Sequence, residues 1–444
     1  MEQMKGMLRL LVITSLFQVI ACSPSKNLSQ KNPKGSPISH TPLIQPGYPV
    51  FLFLSDIHLD TFSDTTSYGL DTGMGLWKIF LKEVDSLLGS SNPPQFVVYT
   101  GDLPAHYTCS TPNCYLPAGE RQIHNRNLST ILTGLRNLVT RHHTPLFYIP
   151  GNNDGLAGNY YSFADENNNT AFSLISETVN PYPALNINQT GTMAPCMISN
   201  SHPTMGYYSA RAIEGLRIIA LNTVMFSKKF NPVDGTHPPE DGKEQLNWLS
   251  TELKDAAEKG DKVYLAMHIP PGLDAYAYSK NPDKAGMWVQ VPDSQSNLLN
   301  GFLSLVSQYQ NTITGILFGH THMDELRRLY DPAGTHITEV AISCPGLTPQ
   351  HMNNPGFKIV QFDRQTMELM DFTTYYTQPA AQSWGGRSYS FNGIFGYPAG
   401  NTLYKNVSTD SIRHLQEAMN RIYTVMNGAA GYDIQPGIEV KTGQ

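Results

Sequence analysis

Five short apolar runs in this chain stop at residues able to hold a metal ion or a phosphate, and no other feature limits its possible folds so tightly. Val50 to Leu54 runs into Ser55-Asp56-Ile57-His58, Phe96 to Tyr99 into Thr100-Gly101-Asp102, and Leu146 to Ile149 into Pro150-Gly151-Asn152-Asn153-Asp154. Val263 to Met267 runs into His268-Ile269-Pro270-Pro271, and Ile313 to Phe318 into Gly319-His320-Thr321-His322. Each run has the length of a strand, and each is followed by Gly, Pro or a polar turn that lets the backbone leave a sheet. Between them lie segments with apolar residues at helical spacing, from Trp77 to Leu88, His124 to Val139 and Glu244 to Ala257. The alternation predicts a layered α/β core whose five loops meet at the carboxyl ends of the strands, where such folds hold ligands.

The loops offer two carboxylates (Asp56, Asp102), one carboxamide (Asn152) and four imidazoles (His58, His268, His320, His322). This mixed oxygen and nitrogen set suits Zn, with Mn or Fe as alternatives, better than Mg or Ca. Two divalent metal ions facing two carboxylates leave a surplus of about two positive charges, which attracts phosphate and brings a bridging water near deprotonation at neutral pH. A single Asp-x-His or His-x-His carries little weight, since a lone His near a strand end is more often a hydrogen-bonded structural residue. Five ligand-bearing strand ends in succession carry much more.

With 444 residues, the chain is long enough for one large domain and a smaller appendage. The formal net charge is -6 and Lys and Arg are scattered, which argues against a nucleic-acid groove. Lys5 and Arg9 precede an apolar run from Leu10 to Ala21 that is too short to span a bilayer comfortably. The run ends in Val19-Ile20-Ala21-Cys22, which resembles the lipobox of bacterial lipoproteins. The reading is a signal peptide over 1–21, a lipid-anchored flexible linker over 22–47, a catalytic domain over 48–376 and a C-terminal subdomain over 377–444. An ordinary secretory signal with an incidental Cys22 is the alternative. Both place the chain outside the cytoplasm, as a bacterial envelope lipoprotein of the periplasm or outer membrane, or as a secreted protein. A monomer is expected. Cys109, Cys114, Cys196 and Cys344 form an even set in a disulfide-permissive compartment. The short Cys109 to Cys114 loop favours pairing those two, leaving Cys196 for Cys344, with four free thiols as the alternative.

Asp56-x-His58, Gly101-Asp102, Gly151-Asn152, His268 and Gly319-His320-x-His322 together resemble the calcineurin-type metallophosphoesterase superfamily. Longer strings resemble its acid sphingomyelinase-like phosphodiesterases: Thr100-Gly101-Asp102-Leu103-Pro104-Ala105-His106, His268-Ile269-Pro270-Pro271-Gly272, and Phe318-Gly319-His320-Thr321-His322-Met323-Asp324-Glu325. The resemblance implies a four-layer core of two stacked mixed β-sheets flanked by helices, with a small, mainly helical C-terminal subdomain. It implies that Asp56, His58 and His322 hold one metal and Asn152, His268 and His320 the other, with Asp102 bridging. The implied reaction is hydrolysis of a phosphodiester or phosphoanhydride in a small phosphorylated substrate, a nucleotide, polyphosphate or phospholipid headgroup, by a metal-bridging hydroxide.

One position departs from the family pattern. Most members of the superfamily this chain resembles carry Asn-His followed by Asp or Glu where it has Asn152-Asn153-Asp154. Asn153 can donate a hydrogen bond but has no titratable proton for the leaving group. His106 is the candidate replacement, with a role in orienting Asp102 as its alternative, so the candidate catalytic set is Asp102, His106, Asn153 and Asp154. The loss of the His favours leaving groups that depart as stable anions, hence nucleotide or polyphosphate-type substrates over sphingomyelin.

Overall fold

The computed structural model describes residues 47–106, 118–174, 196–202, 204–233, 240–289 and 297–444. The signal peptide, nearly all of the linker, Cys109 and Cys114 lie outside the described residues.

The first half of the catalytic core runs β1 (Val50–Leu54), β2 (Leu59–Asp60), β3 (Thr72–Gly73), α1 (Met74–Leu88), β4 (Val97–Tyr99), α2 (Ala118–His142) and β5 (Leu146–Tyr148). A meander β6 (Met197–His202), β7 (Tyr207–Ile213), β8 (Leu216–Leu221) leads to α3 (Glu240–Lys259), β9 (Lys262–Met267), α4 (Ala275–Lys280), α5 (Leu298–Gln308) and β10 (Ile313–Phe318). Then come β11 (Leu326–Tyr330), β12 (Ile337–Ser343), β13 (Gly356–Phe362), β14 (Leu369–Tyr376) and β15 (Arg387–Ser390). The chain closes with α6 (Phe391–Phe395), α7 (Leu403–Thr409), α8 (Ile412–Ile422), α9 (Gln435–Ile438) and β16 (Glu439–Val440).

Two mixed sheets result. One has the order β15-β14-β13-β1-β4-β5 and the other β16-β11-β12-β10-β9-β8-β7-β6. Within the first, β1, β4 and β5 are parallel neighbours, and within the second β8, β9, β10 and β12 are. All five ligand-bearing strands therefore point the same way as their parallel neighbours, and their carboxyl ends collect at one edge.

Strand periodicity explains the layering. Tyr264 and Ala266 of β9 join the core shared with the first sheet, whereas Val263, Leu265 and Met267 join a second core with Leu249 and Leu253 of α3 and Phe302 of α5. Successive side chains point to opposite faces, so a strand covered on both sides reads as a continuous apolar run. Phe51 meets Tyr264 across the sheets at 5.7 Å between ring centroids, and the Tyr208 hydroxyl donates to the Tyr148 carbonyl at 3.1 Å. On the outer face of the first sheet, Trp77 and Phe80 of α1 pack on the core, with Phe80 edge-on to Phe357. Helix, sheet, sheet and helix make the four layers expected.

Beyond Tyr376 the chain carries four short helices and two strands, and those strands complete the edges of both sheets: β15 beside β14 and β16 beside β11. The aromatic stretch there packs against the catalytic core. Trp384 lies 5.0 Å from Phe357, and Phe391 lies 5.2 Å from Phe372.

One expectation is overturned. Cys344 is a free, buried thiol whose Sγ lies 3.0 Å from the Phe53 carbonyl, so it does not pair with Cys196. Cys344 directly follows β12 and is sealed in the core shared by the two sheets. Cys196 is disulfide-bonded to a partner outside the described residues.

Candidate metal centre

Each expected ligand sits just past a strand end: Asp56 and His58 after β1, Asp102 after β4, Asn152 after β5, His268 after β9, and His320 and His322 after β10. The chain turns sharply there. Asp56, His58, Asp102, His320 and His322 all adopt positive φ, between 44° and 77°. That region is costly for residues with a β-carbon, and strain of this kind collects where a site needs side chains aimed at one point. The glycines beside the ligands have a steric cause. A β-carbon on Gly319 would stand 2.1 Å from Ser55 Oγ, and one on Gly151 would stand 2.2 Å from Asp102 Oδ1.

The side chains converge as two groups sharing Asp102. Its Oδ2 lies 3.2 Å from His268 Nε2 and 3.4 Å from His58 Nε2. Asp56 Oδ1 lies 3.6 Å from His322 Nε2 and 3.8 Å from His58 Nε2. Asn152 turns its Oδ1 toward His268 Nε2, 3.0 Å away, because its amide nitrogen donates to Asn159. His320 completes the group with Asp102 and His268.

The surroundings fix which imidazole nitrogen faces inward. His58 Nδ1 is held by the Pro104 carbonyl at 2.9 Å and His268 Nδ1 by the Thr100 carbonyl at 2.6 Å, which turns both Nε2 atoms to the centre. His58 Nε2 and His322 Nδ1 are buried without a hydrogen-bond partner. Buried polar atoms are normally paired, so the orphaned His58 Nε2 beside the Asp56 and Asp102 carboxylates fits a site built for cations. Burial opposes charge on His58 and His268, yet Asp56 and Asp102 overcome it and push both up to about 9. Burial likewise opposes ionisation of Asp102, but His268 and His58 hold it well below the usual carboxylate range. Protons on these imidazoles compensate the carboxylates as divalent ions would, and metal binding would release them.

The remaining expected residues frame the centre. Asn153 donates its backbone N–H to Asp102 Oδ1 and its side-chain amide to Oδ2, both at 2.8 Å. The Asp154 carboxylate is taken up by the backbone N–H groups of Gly151, Asp102 and Leu103 and by the Tyr148 hydroxyl, at 2.6 to 3.0 Å. It ties the Asp102 and Asn152 loops together through their backbone N–H groups. His106 stacks on His58, with ring centroids 3.8 Å apart.

Two residues escaped the sequence reading. Asp71 accepts from His106 through both oxygens, the backbone N–H at 2.7 Å and the ring Nδ1 at 2.8 Å. It immediately precedes β3, which pairs with β2 just beyond His58. His351 stands exposed at the mouth, 4.3 Å from the His322 ring and 6.4 Å from that of His106. Neither follows a run of apolar residues, so neither shared the pattern that exposed the ligands.

A family model described as calcineurin-like phosphoesterase matches residues 49–324. Sphingomyelinase phosphodiesterase D of Dictyostelium discoideum is 30% identical over 315 residues, covering 70% of this chain and 61% of that protein. Human acid sphingomyelinase-like phosphodiesterase 3b is 29% identical over 221 residues, covering 47% of this chain and 45% of its own length. Rat cyclic GMP-AMP phosphodiesterase SMPDL3A is 24% identical, covering 68% of this chain and 61% of its own. The matched stretch thus spans less than two thirds of each relative.

Proposed function

Because the chain belongs to the calcineurin-like phosphoesterases, among the acid sphingomyelinase-like phosphodiesterases, we propose that it hydrolyses phosphodiester or phosphoanhydride bonds at a dinuclear metal centre. The observation that carries this is Asp102 Oδ2 placed between His58 and His268, a carboxylate positioned to belong to two ligand groups at once. Two divalent ions, of which Zn suits the donor set best, would polarise a phosphoryl oxygen and lower the pKa of the attacking water.

The chain's own residues do the rest. Asp56, His58 and His322 form one ligand group and Asn152, His268 and His320 the other, with Asp102 shared. Asn153 locks Asp102 by donating to both its oxygens and so serves as a positioning residue. Asp154 holds the two loops that carry Asp102 and Asn152. His106 is the proton donor to the leaving group, and Asp71 fixes its Nδ1 so that Nε2 is free to reach the substrate. Since Asn153 has no proton to give, that task falls to His106, and substrates with stable leaving groups, nucleotides or polyphosphates, are favoured. Sphingomyelin is the second reading, suggested by the names of the relatives. A binding lipoprotein without activity would have no need of a complete ligand set, and all seven residues are present. The Lys5 to Cys22 segment supports export of the enzyme in a lipid-anchored or secreted form.

Initial rates on ATP and on sphingomyelin, measured with Mn- or Zn-loaded protein and with Asp102→Asn as the blank, test the reading. Faster metal-dependent ATP cleavage is expected. Faster sphingomyelin cleavage assigns the chain to the lipid phosphodiesterases, and no activity above the blank on either rejects catalysis.

A further inference from the structure

Although the chain is acidic overall, the rim beside His320 is basic. Lys228 and Lys229 follow the 3-10 turn Thr223–Phe226, and Lys284 ends the 3-10 turn after α4. All three are exposed, and among the described residues no carboxylate lies within ion-pair distance of any of them. Lys228 Nζ donates to the Lys284 carbonyl at 2.6 Å, which pins the two segments together. Partial burial and then the charges of Lys229 and Lys284 lower the Lys228 pKa, and the more weakly acting Asp274 opposes them.

Lys229 is tied to the metal centre. Its Nζ donates to the Tyr160 hydroxyl at 3.3 Å and lies 4.8 Å from the centre of the Tyr160 ring. That ring stands edge-on to His320 at 6.3 Å. The backbone is equally direct: Tyr160 N–H donates to the Asn152 carbonyl at 2.7 Å, and Asn231 N–H donates to the Tyr160 carbonyl at 2.9 Å. The loop bearing Asn152 and the loop bearing Lys229 are therefore joined through Tyr160. Two acidic residues also stand on this rim: Asp274, at the start of α4, whose carboxylate accepts from the Tyr276 N–H at 2.9 Å, and the exposed Asp283 beside Lys284. His106 and His351 stand instead beside His322, with ring centroids 5.5 and 4.3 Å from it.

We propose that Lys229, supported by Lys228 and Lys284, forms an anion subsite on the Asn152 and His320 side of the centre that receives a second phosphate covalently linked to the one being cleaved. This rests on the proposed phosphate-binding metal centre and narrows its substrate class to molecules with consecutive phosphates, nucleoside polyphosphates or inorganic polyphosphate. A phosphodiester flanked by neutral groups, as in a zwitterionic lipid, offers the subsite nothing. A fixed ammonium held by an aromatic ring has little freedom to lose on binding, which favours a defined contact over diffuse attraction.

The test is equilibrium binding to the Mn-loaded full chain by calorimetry, with methylenediphosphonate as the two-phosphorus probe and methylphosphonate as the one-phosphorus probe. Neither is hydrolysed, so the result does not depend on turnover. Wild-type protein is expected to prefer the diphosphonate by about tenfold or more, roughly the differential interaction of one charge-assisted contact. Lys229→Met is expected to bring that ratio close to one, and Lys229→Arg to restore most of it. A ratio unchanged in Lys229→Met, or both probes weakened equally, overturns the subsite. Wild type that binds methylphosphonate without preferring the diphosphonate also overturns it, and leaves the metal centre standing. Wild type that binds neither probe overturns the metal-centre reading and the subsite with it.

Discussion

Asn153 gives both of its N–H groups to Asp102, and in doing so shows how a residue that cannot titrate still earns its place at the centre. In the proposed mechanism the proton comes from His106, which Asp71 holds through both its oxygens. His106→Ala is expected to slow cleavage of an alkyl phosphodiester by roughly 100- to 10,000-fold and that of a nitrophenyl ester by far less, since nitrophenolate departs unprotonated. Asp71→Asn should follow the same split, and equal losses on both substrates would remove His106 from the acid role. A separate residue controls stability. Burial, reinforced by Glu368 and opposed by the Val340 N–H, pushes Glu339 up to about 8. The folded chain then holds a proton that the unfolded chain releases above the ordinary glutamate range. Stability is full below that range and declines as pH rises toward 8. Glu339→Gln should flatten the decline, read as the denaturant midpoint between pH 5 and 8.5.

At the scale of elements, the His320 and His322 loop depends on what lies under it. Asp324, two residues past His322, accepts from Lys358 Nζ of β13 at 2.5 Å, from Thr374 of β14 at 2.8 Å and from Tyr389 of β15 at 2.7 Å. Both charges are sealed from solvent. The second sheet's ligand loop is thereby fastened to three strands of the first. Removing one partner leaves the other charge buried alone, so Lys358→Met is expected to cost about 3 to 5 kcal/mol in chemical denaturation and to weaken metal retention. Arg327 does similar service for the His268 loop by donating to the Pro271 and Leu273 carbonyls at 2.8 and 3.0 Å. The string containing Asp324 was visible in sequence, but its partners were not, because Lys358, Thr374 and Tyr389 are distant in the chain and carry no pattern of their own. The five ligand strands were legible because being covered on both faces forces a continuous apolar run, and leaving the sheet at a ligand forces a turn residue. Asp71 and His351 were illegible for the opposite reason: they reach the centre from loops whose course depends on the assembled fold. The Cys344 thiol was misread because an even count of cysteines says nothing about which of them a sheet will bury.

Across the whole molecule, the centre lies where two sheets meet, and its ligands come from both: Asp56, His58, Asp102 and Asn152 from one, and His268, His320 and His322 from the other. Cations bound there join the two sheets and stabilise only the folded chain, by about 4 kcal/mol at a thousandfold excess over Kd. Chelation should therefore lower the melting temperature, and Asp102→Asn should shrink the difference between metal-loaded and chelated protein. The most direct test of the dinuclear centre is the metal content of the purified protein after equilibration with Zn or Mn, counted by elemental analysis against protein concentration. The account predicts two ions per chain, with Asp102→Asn losing at least one. One ion or none in the wild-type chain would contradict it.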